Sequence, residues 1–230
     1  MTGLEIQNRI ITRLDDDPTA PASCTAAEVM AAINDGQELA ALLTLSIERV
    51  ATLTLTGATP FFTIRGTFPD FLVPLRLSIG GLRIRPAKLA DLDALSELWQ
   101  ATPGTPSRYL SLGFNLFGVT PQPAVPMGSE LIYAAAPAPL LSGGTPEIPE
   151  AYHQSLVDYG VYRVKLKEGG QGLQRGVGHL NRFLDDMTRL GDYVRAKSRA
   201  AHYDTMPFEL QLFDRSRLLE KVATGVKSAG

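Results

Sequence analysis

Two helical segments joined by glycines, toward the C-terminal end, constrain the fold more than any other part of the sequence. In the first segment, Tyr152, Leu156 and Tyr159 recur at helical spacing. The second segment, residues 176–201, would be roughly 40 Å long at 1.5 Å per residue, so it needs several neighbouring elements to cover it. Its apolar positions alternate steps of three and four and predict one continuous seam: Val177, Leu180, Leu184, Met187, Gly191 and Val194.

Glycines within and before this long helix are informative because glycine inside a helix costs ~1 kcal/mol relative to alanine. Gly191 on the seam is therefore expected to mark a close approach between two helices. The glycine-rich stretch at 169–172 is interpreted as a helix–helix turn. A phosphate-binding loop is the alternative, but the stretch lacks the Gly-Lys-Ser/Thr ending and follows a helix rather than a strand.

Two further helices are predicted near the N-terminal end. A short amphipathic helix ends at the three aspartates 15–17, before Pro18. The second spans residues 25–50 and begins with a capping box, in which Thr25 and Glu28 each satisfy a free backbone donor at the start of the helix. The triplet Asn34-Asp35-Gly36 inside this helix predicts a bend.

Between these two pairs of helices the periodicity changes to that of strands. Thr52, Thr54 and Thr56 alternate with leucines, and further strands are predicted at 61–65, 71–79, 82–85, 109–112, 116–119 and 131–135, with a short helix at 89–99. The expected fold class is α+β: a helical-bundle body of long packed helices, a β-rich insertion between the second and third main helices, and an extended C-terminal tail. The expected domains are 1–50 with 142–202 as the α-helical body, 51–141 as the insertion, and 203–230 as the tail.

Composition excludes several classes of protein. The net charge of −2 gives no basic field for nucleic-acid binding. Cys24 is the only cysteine, which excludes an internal disulfide and a cysteine-ligated zinc site. No apolar run approaches the ~20 residues needed to span a bilayer, so no membrane association is expected. The N-terminal stretch has no signal-peptide pattern, and we expect a soluble protein that folds in a reducing cytoplasm.

Residues that could carry chemistry lack the partners that chemistry would need. The aspartates 15–17 lack the glycine and distal glutamate of a calcium loop, and are interpreted as a solvated helix end. Glu150 and His153 have the Glu-x-x-His spacing of di-iron bundles, but such a site needs a second copy and two more glutamates. The three histidines lie far apart in sequence, and neither a serine nor a cysteine nucleophile motif is present. No catalytic residue, metal or other cofactor is therefore predicted.

Arginines recur every seven residues along the long helix, at Arg175, Arg182 and Arg189. A solvated helix face is one interpretation. The sharper one is electrostatic pairing, within a chain or between chains, with the acidic flank of the 25–50 helix. Contact with DNA phosphates is a weaker third option because the chain is slightly acidic. The acidic flank consists of Glu28, Asp35 and Glu38.

The C-terminal tail contains a strand-like pattern without a neighbouring strand. Residues 206–213 alternate apolar and mostly polar side chains, and a short final helix is predicted after them. An isolated strand leaves its backbone groups unpaired, so it needs the sheet edge or groove of another protein, or the chain's own β insertion. The apolar residues of this candidate docking tail are Met206, Phe208, Leu210, Leu212, Phe213, Leu218 and Leu219.

Four segments, taken together and in order, identify a family. The most specific is EIPEAYHQSLVDYGVYRVKLKEGG at 147–170, followed by FNLFGVTPQPAVPMGSELIYAAAPAPL at 114–140. TAAEVMAAINDGQELA at 25–40 and LRIRPAKLADLDAL at 82–95 add to it. The sequence resembles the head-to-tail adaptors of tailed bacteriophages, also called connector or head-completion proteins, over most of residues 1–206.

The resemblance implies a structural role without catalysis. Such adaptors are made in the bacterial cytoplasm and lie in the virion neck, as a ring, typically a dodecamer, beneath the portal protein. They extend the DNA channel without sequence-specific contact and carry a tail tube, nozzle or stopper. The portal is then the expected partner of the tail, 203–230. The alternatives are an enzyme or small-ligand-binding protein, with the β-rich insertion as its substrate domain, and a cellular helical scaffold.

Overall fold

The computed structural model of the 230-residue chain describes residues 1–57, 59–96, 98–113, 115–167 and 169–207. The helices are α1 (Gly3–Arg13), α2 (Ala26–Thr44), α3 (Ile64–Thr67), α4 (Leu89–Leu95), α5 (His153–Lys167) and α6 (Gly170–Ala200), with a short 3-10 helix, Glu150–Tyr152, before α5. The strands are β1 (Glu48–Leu55), β2 (Phe61–Thr63), β3 (Phe71–Ile79), β4 (Leu82–Pro86), β5 (Pro103–Gly104), β6 (Arg108–Leu112), β7 (Leu116–Thr120), β8 (Gln122–Pro123) and β9 (Met127–Ala135).

Seven strands form one curled sheet in the order β1-β9-β3-β4-β6-β7-β2. Neighbouring strands are antiparallel except β4 and β6, which are parallel and are connected through α4. Gly80 and Gly81 make the tight turn from β3 to β4 with φ angles of 56° and 79°, a conformation that glycine adopts without strain. The short strands β5 and β8 form a separate parallel pair.

The inner face of the curled sheet carries a large apolar core of its own. Its aromatic rings pack on one another: Tyr109 stacks on Phe117, and Phe71 lies against Tyr133, each pair with ring centroids 5.5 Å apart. This core is continuous with apolar residues of the helices. The residues that the strands contribute to this core are Leu53, Leu55, Phe71, Leu77, Ile84, Tyr109, Phe117, Val119, Leu131 and Tyr133.

The predicted helical-bundle body of long packed helices is wrong. The chain is a mixed α+β fold whose largest element is the curled seven-stranded sheet. The error has a physical cause. Helical periodicity shows that one face of a helix is buried, but it does not show how much of the core lies elsewhere. Here strands β3 and β9 bury side chains on both faces, so the sheet takes a larger share of the core than a thin insertion would.

The strands predicted between residues 51 and 135 all correspond to observed ones, although several boundaries differ. The helix predicted for 25–50 ends at Thr44, because Leu45 adopts a left-handed conformation (φ 51°) that closes the helix. Strand β1 therefore begins at Glu48, inside the predicted helix. The strand predicted at 131–135 begins at Met127, and the short helix predicted for 89–99 ends at Leu95.

Helix α6 begins earlier than predicted, because most of the glycine-rich stretch is helical and only Gly169 (φ 77°) precedes it. Its most deeply buried apolar side chains include two of the predicted seam, Met187 and Val194, and two outside it, Phe183 and Leu190. A Cβ atom at Gly191 would meet no heavy atom within 4 Å. The close helix–helix approach predicted at Gly191 is therefore wrong.

The close approaches between helices occur at two other glycines. A Cβ atom at Gly36 on α2 would lie 2.7 Å from Cδ1 and 3.2 Å from Cγ of the Tyr159 ring on α5. A Cβ atom at Gly160 on α5 would overlap the side chain of Ile10, which is fully buried on α1. Helix α2 is continuous through the Asn34-Asp35-Gly36 triplet, so the triplet does not interrupt the helix. The absence of a side chain at Gly36 leaves room for the Tyr159 ring.

Alanine should have opposite effects at Gly36 and Gly191. Gly36→Ala forces the Tyr159 ring away from α2, and overpacking of this kind costs about 1–3 kcal/mol. Gly191→Ala meets open space in a helix interior and should stabilise the protein by up to about 1 kcal/mol. Urea unfolding of both variants measures these changes. Equal unfolding midpoints for the two variants would contradict the assigned packing.

Candidate assembly surfaces

The chain segment after α6 is held on the sheet by the buried carboxylate of Asp204. This side chain is 2% exposed, accepts a hydrogen bond from the Tyr109 hydroxyl at 2.9 Å, and forms an ion pair with Arg83 on β4. The backbone N–H of Asp204 donates to the carbonyl of Leu75 on β3 at 2.7 Å. Burial, reinforced by the Asp204 charge, raises the pKa of Tyr109, so its hydroxyl remains a donor at neutral pH. We call residues 203–204 the tail anchor.

Tyr203 forms the other half of the tail anchor. Its hydroxyl donates to the Glu48 carboxylate at 3.0 Å, and Lys197 on α6 pairs with the same carboxylate at 2.9 Å. Its ring packs on an apolar cluster that includes Leu45 and Leu75. The tail anchor therefore joins the end of α6 to β1, β3, β4 and β6.

The predicted tail residues fall partly within this region. Met206 is half-buried, and the carbonyl of Pro207 accepts a hydrogen bond of 3.4 Å from Arg195 on α6. The first residues of the tail, Tyr203 and Asp204, thus contact the chain's own sheet. This agrees with the alternative in which the tail pairs with the chain's own β insertion, for these two residues. The remaining docking residues lie outside the described part of the chain: Phe208, Leu210, Leu212, Phe213, Leu218 and Leu219.

The arginine stripe and the acidic flank have different partners within the chain. Glu28 pairs with Lys167 at 2.6 Å and Asp35 pairs with Arg163 at 2.8 Å, so both acids of α2 face bases of α5. Glu38 of the acidic flank and Arg175 of the arginine stripe are exposed. On α6, Arg182 lies 3.5 Å from Asp158 and Arg189 lies 3.6 Å from Asp186. Pairing of the stripe with the acidic flank between two copies stays a prediction.

Asp158 on α5 is a charge centre that the sequence analysis misses. Its carboxylate is 7% exposed and lies 2.9 Å from Arg13 on α1 and 2.7 Å from His179 on α6. With Arg182 it therefore connects three helices through one carboxylate. A signal was present in the sequence, because Asp158 directly follows the apolar residues Leu156 and Val157 within a predicted helix. An acid in such a position is tolerated when cations pair with it.

The residues considered for metal binding have other roles. Asp16 accepts hydrogen bonds from the Ser23 hydroxyl (2.6 Å), the Ser23 N–H (2.8 Å) and the Ala22 N–H (3.0 Å), which lower its pKa to about 2 and close the loop between α1 and α2. The Glu150 side chain is 87% exposed, whereas the His153 ring is buried and donates from Nε2 to the Ile148 carbonyl at 3.0 Å. Within the described ranges, His, Cys, Asp and Glu side chains form no group that could hold a metal ion.

Removal of the Asp204 carboxylate should destabilise the protein. Asp204→Ala leaves the buried Tyr109 hydroxyl without its acceptor, and hydrogen bonds to a charged group contribute about 1.5–3 kcal/mol. Glu38→Ala is the matched control, since Glu38 is an exposed acid on α2 and such surface changes stay within about 0.5 kcal/mol. Urea unfolding gives both values, and limited proteolysis after α6 should become faster in Asp204→Ala alone. Equal stability of the two variants would show that Asp204 is not an anchor.

A search among curated proteins finds no match. The family model described as SU10 adaptor protein matches residues 1–207, which include every described element from α1 to the tail anchor. In the part of the chain that the structure describes, the helices are too short or too polar to cross a membrane. The chain therefore belongs to the SU10 adaptor protein family, which confirms the resemblance of its sequence to bacteriophage head-to-tail adaptors.

Proposed function

We propose that copies of this phage structural protein form a ring, a dodecamer as the resemblance implies, beneath the portal protein in the virion neck. The observation that carries the proposal is the family match over residues 1–207. The ring would extend the DNA channel and offer a platform to a tail tube, nozzle or stopper. Genome DNA would pass without sequence-specific contact, which agrees with the slightly acidic chain.

The tail is proposed to dock on the portal. The tail anchor supports this because it gives the docking residues a fixed starting point on the sheet. Residues 206–219 would span up to roughly 45 Å when extended, enough to reach a neighbouring protein. An extended segment with alternating apolar side chains suits addition to the edge of a partner's sheet, where the backbone groups find hydrogen-bond partners. Ordering of the tail at that step would tie adaptor attachment to the presence of a portal.

The division of the chain into an α-helical body (1–50 with 142–202) and a β-rich insertion (51–141) remains part of this proposal. The element order supports it, because the strands from β2 to β9 all lie within residues 51–141, between helices α2 and α5. The insertion would then be the part that is free to meet other neck proteins. The family match favours this structural role over the enzyme or ligand-binding alternative.

Deletion of residues 208–230 should separate folding from docking. The truncated chain keeps the tail anchor and should remain folded, with the same urea midpoint as the full chain. It should lose binding to portal-containing heads, which sedimentation of heads with bound adaptor measures. The full chain is the positive control, and heads that lack the portal are the negative control.

Normal attachment of the truncated chain to portal-containing heads would contradict the proposed tail docking. Attachment of the full chain to heads without the portal would contradict the portal as the partner.

A further inference from the structure

The segment around α4 is acidic and exposes two leucines. We define the α4 lobe as residues 89–96 and 98–102, which contain two acidic residues, Asp91 and Asp93, and no basic one. Asp93 accepts a hydrogen bond from the Trp99 indole N–H at 2.8 Å, and Asp91 is exposed. Leu92 and Trp99 hold the lobe on the sheet by packing against Leu110 and Phe61, and the Trp99 and Phe61 rings meet edge to face at 5.9 Å. By contrast, Leu95 and Leu98 on the lobe are 65% and 70% exposed. Adjacent exposed leucines on a small lobe are typical of an interaction surface.

The last third of α6 presents a surface of the opposite charge. Arg189, Tyr193, Ala196 and Ala200 follow one line along the helix at steps of four, three and four, and all are exposed. The Tyr193 ring is 66% exposed and the Arg189 side chain 76%. Residues 189–200 contain four basic residues and one acidic residue, Asp192, which pairs with Arg195 at 2.8 Å. We call this surface the α6 face.

The two surfaces lie at opposite ends of the strand order. The α4 lobe packs beside β6 and β2, whereas the α6 face is tied to β1 through the contact of Lys197 with Glu48. A surface at one end that fits a different surface at the other end makes a head-to-tail contact between copies. Contacts of this kind repeat in one direction and produce a closed ring when the rotation between copies closes.

We propose that the α4 lobe of one copy docks on the α6 face of the next copy and so forms the subunit contact of the ring. The inference rests on the proposed ring and names its interface. Leu95 and Leu98 would pack against the Tyr193 ring, and the small side chains of Ala196 and Ala200 would let the lobe come close to the helix. The exposed Asp91 of the lobe would face the exposed Arg189 and Arg199 of the α6 face, which would set the orientation and speed the encounter between copies.

Engineered disulfides test this contact directly, because Cys24 is the only cysteine and Cys24→Ser removes it. In that background, Leu98→Cys and Tyr193→Cys are introduced together into the full chain. Both positions are exposed, so the fold should persist, and equal urea midpoints for variant and background check this. The protein is mixed with portal-containing heads, oxidised, and resolved on a non-reducing gel. The expected result is a ladder of covalent dimers, trimers and larger species that collapses on reduction.

Two matched controls distinguish the α4–α6 contact from random cross-linking and from the alternative contact. Either cysteine alone should give no species beyond a dimer. A second pair, Glu38→Cys with Arg182→Cys, reports the alternative contact of the arginine stripe with the acidic flank of a neighbour. A ladder from that pair and none from Leu98→Cys with Tyr193→Cys would overturn the α4–α6 contact while leaving the ring in place. The native mass of the assembly, measured without oxidation, shows whether a ring forms. A chain that stays monomeric in the presence of portal-containing heads would overturn both the ring and this contact.

Discussion

The buried carboxylate of Asp204 ties the end of the long helix α6 to the curled sheet. A carboxylate removed from water is costly unless it is paired and hydrogen-bonded. The Asp204 carboxylate meets that condition through Arg83 and the Tyr109 hydroxyl, and the Asp204 backbone N–H donates to the Leu75 carbonyl. Because α6 packs along α5, and α5 packs on α1 and α2, this contact acts together with the shared apolar core to position the helices against the sheet.

A second connection runs along the proline-rich segment between β9 and α5. Asn34 on α2 exchanges hydrogen bonds with the backbone of Leu140, and the N–H of Glu147 donates to Gln37 at 2.9 Å. The Glu147 carboxylate in turn pairs with Arg49 on β1 at 3.0 Å. The segment has no regular backbone pairing of its own, so these side chains supply the partners that its backbone needs. Helices and sheet are thus joined at two separated places, which resists rotation better than one.

Local signals account for the part of the fold that the sequence predicts. The turn at Gly80 and Gly81 and the alternation on either side place β3 and β4 correctly, since both signals lie within a few residues. Sheet order and the charge centres depend on residues far apart in the chain. Tyr109 and Asp204 are 95 positions apart, and no periodicity connects them. The predicted close approach at Gly191 fails for the same reason: a glycine on a seam shows that space is available, but not that another helix uses it.

The position of the tail anchor has a mechanical consequence for an adaptor. Force applied to a docked tail would reach the contact of Pro207 with Arg195 on α6 first, and then Tyr203 and Asp204, whose partners lie on β1, β3, β4 and β6. Part of the load would therefore pass into hydrogen-bonded strands and the aromatic inner face of the sheet. If the tail were attached only to the end of α6, the whole load would pull on a helix end, where backbone carbonyls lack helical partners. The contacts of Tyr203 and Asp204 with several strands would therefore let the sheet share the load of a docked tail with α6.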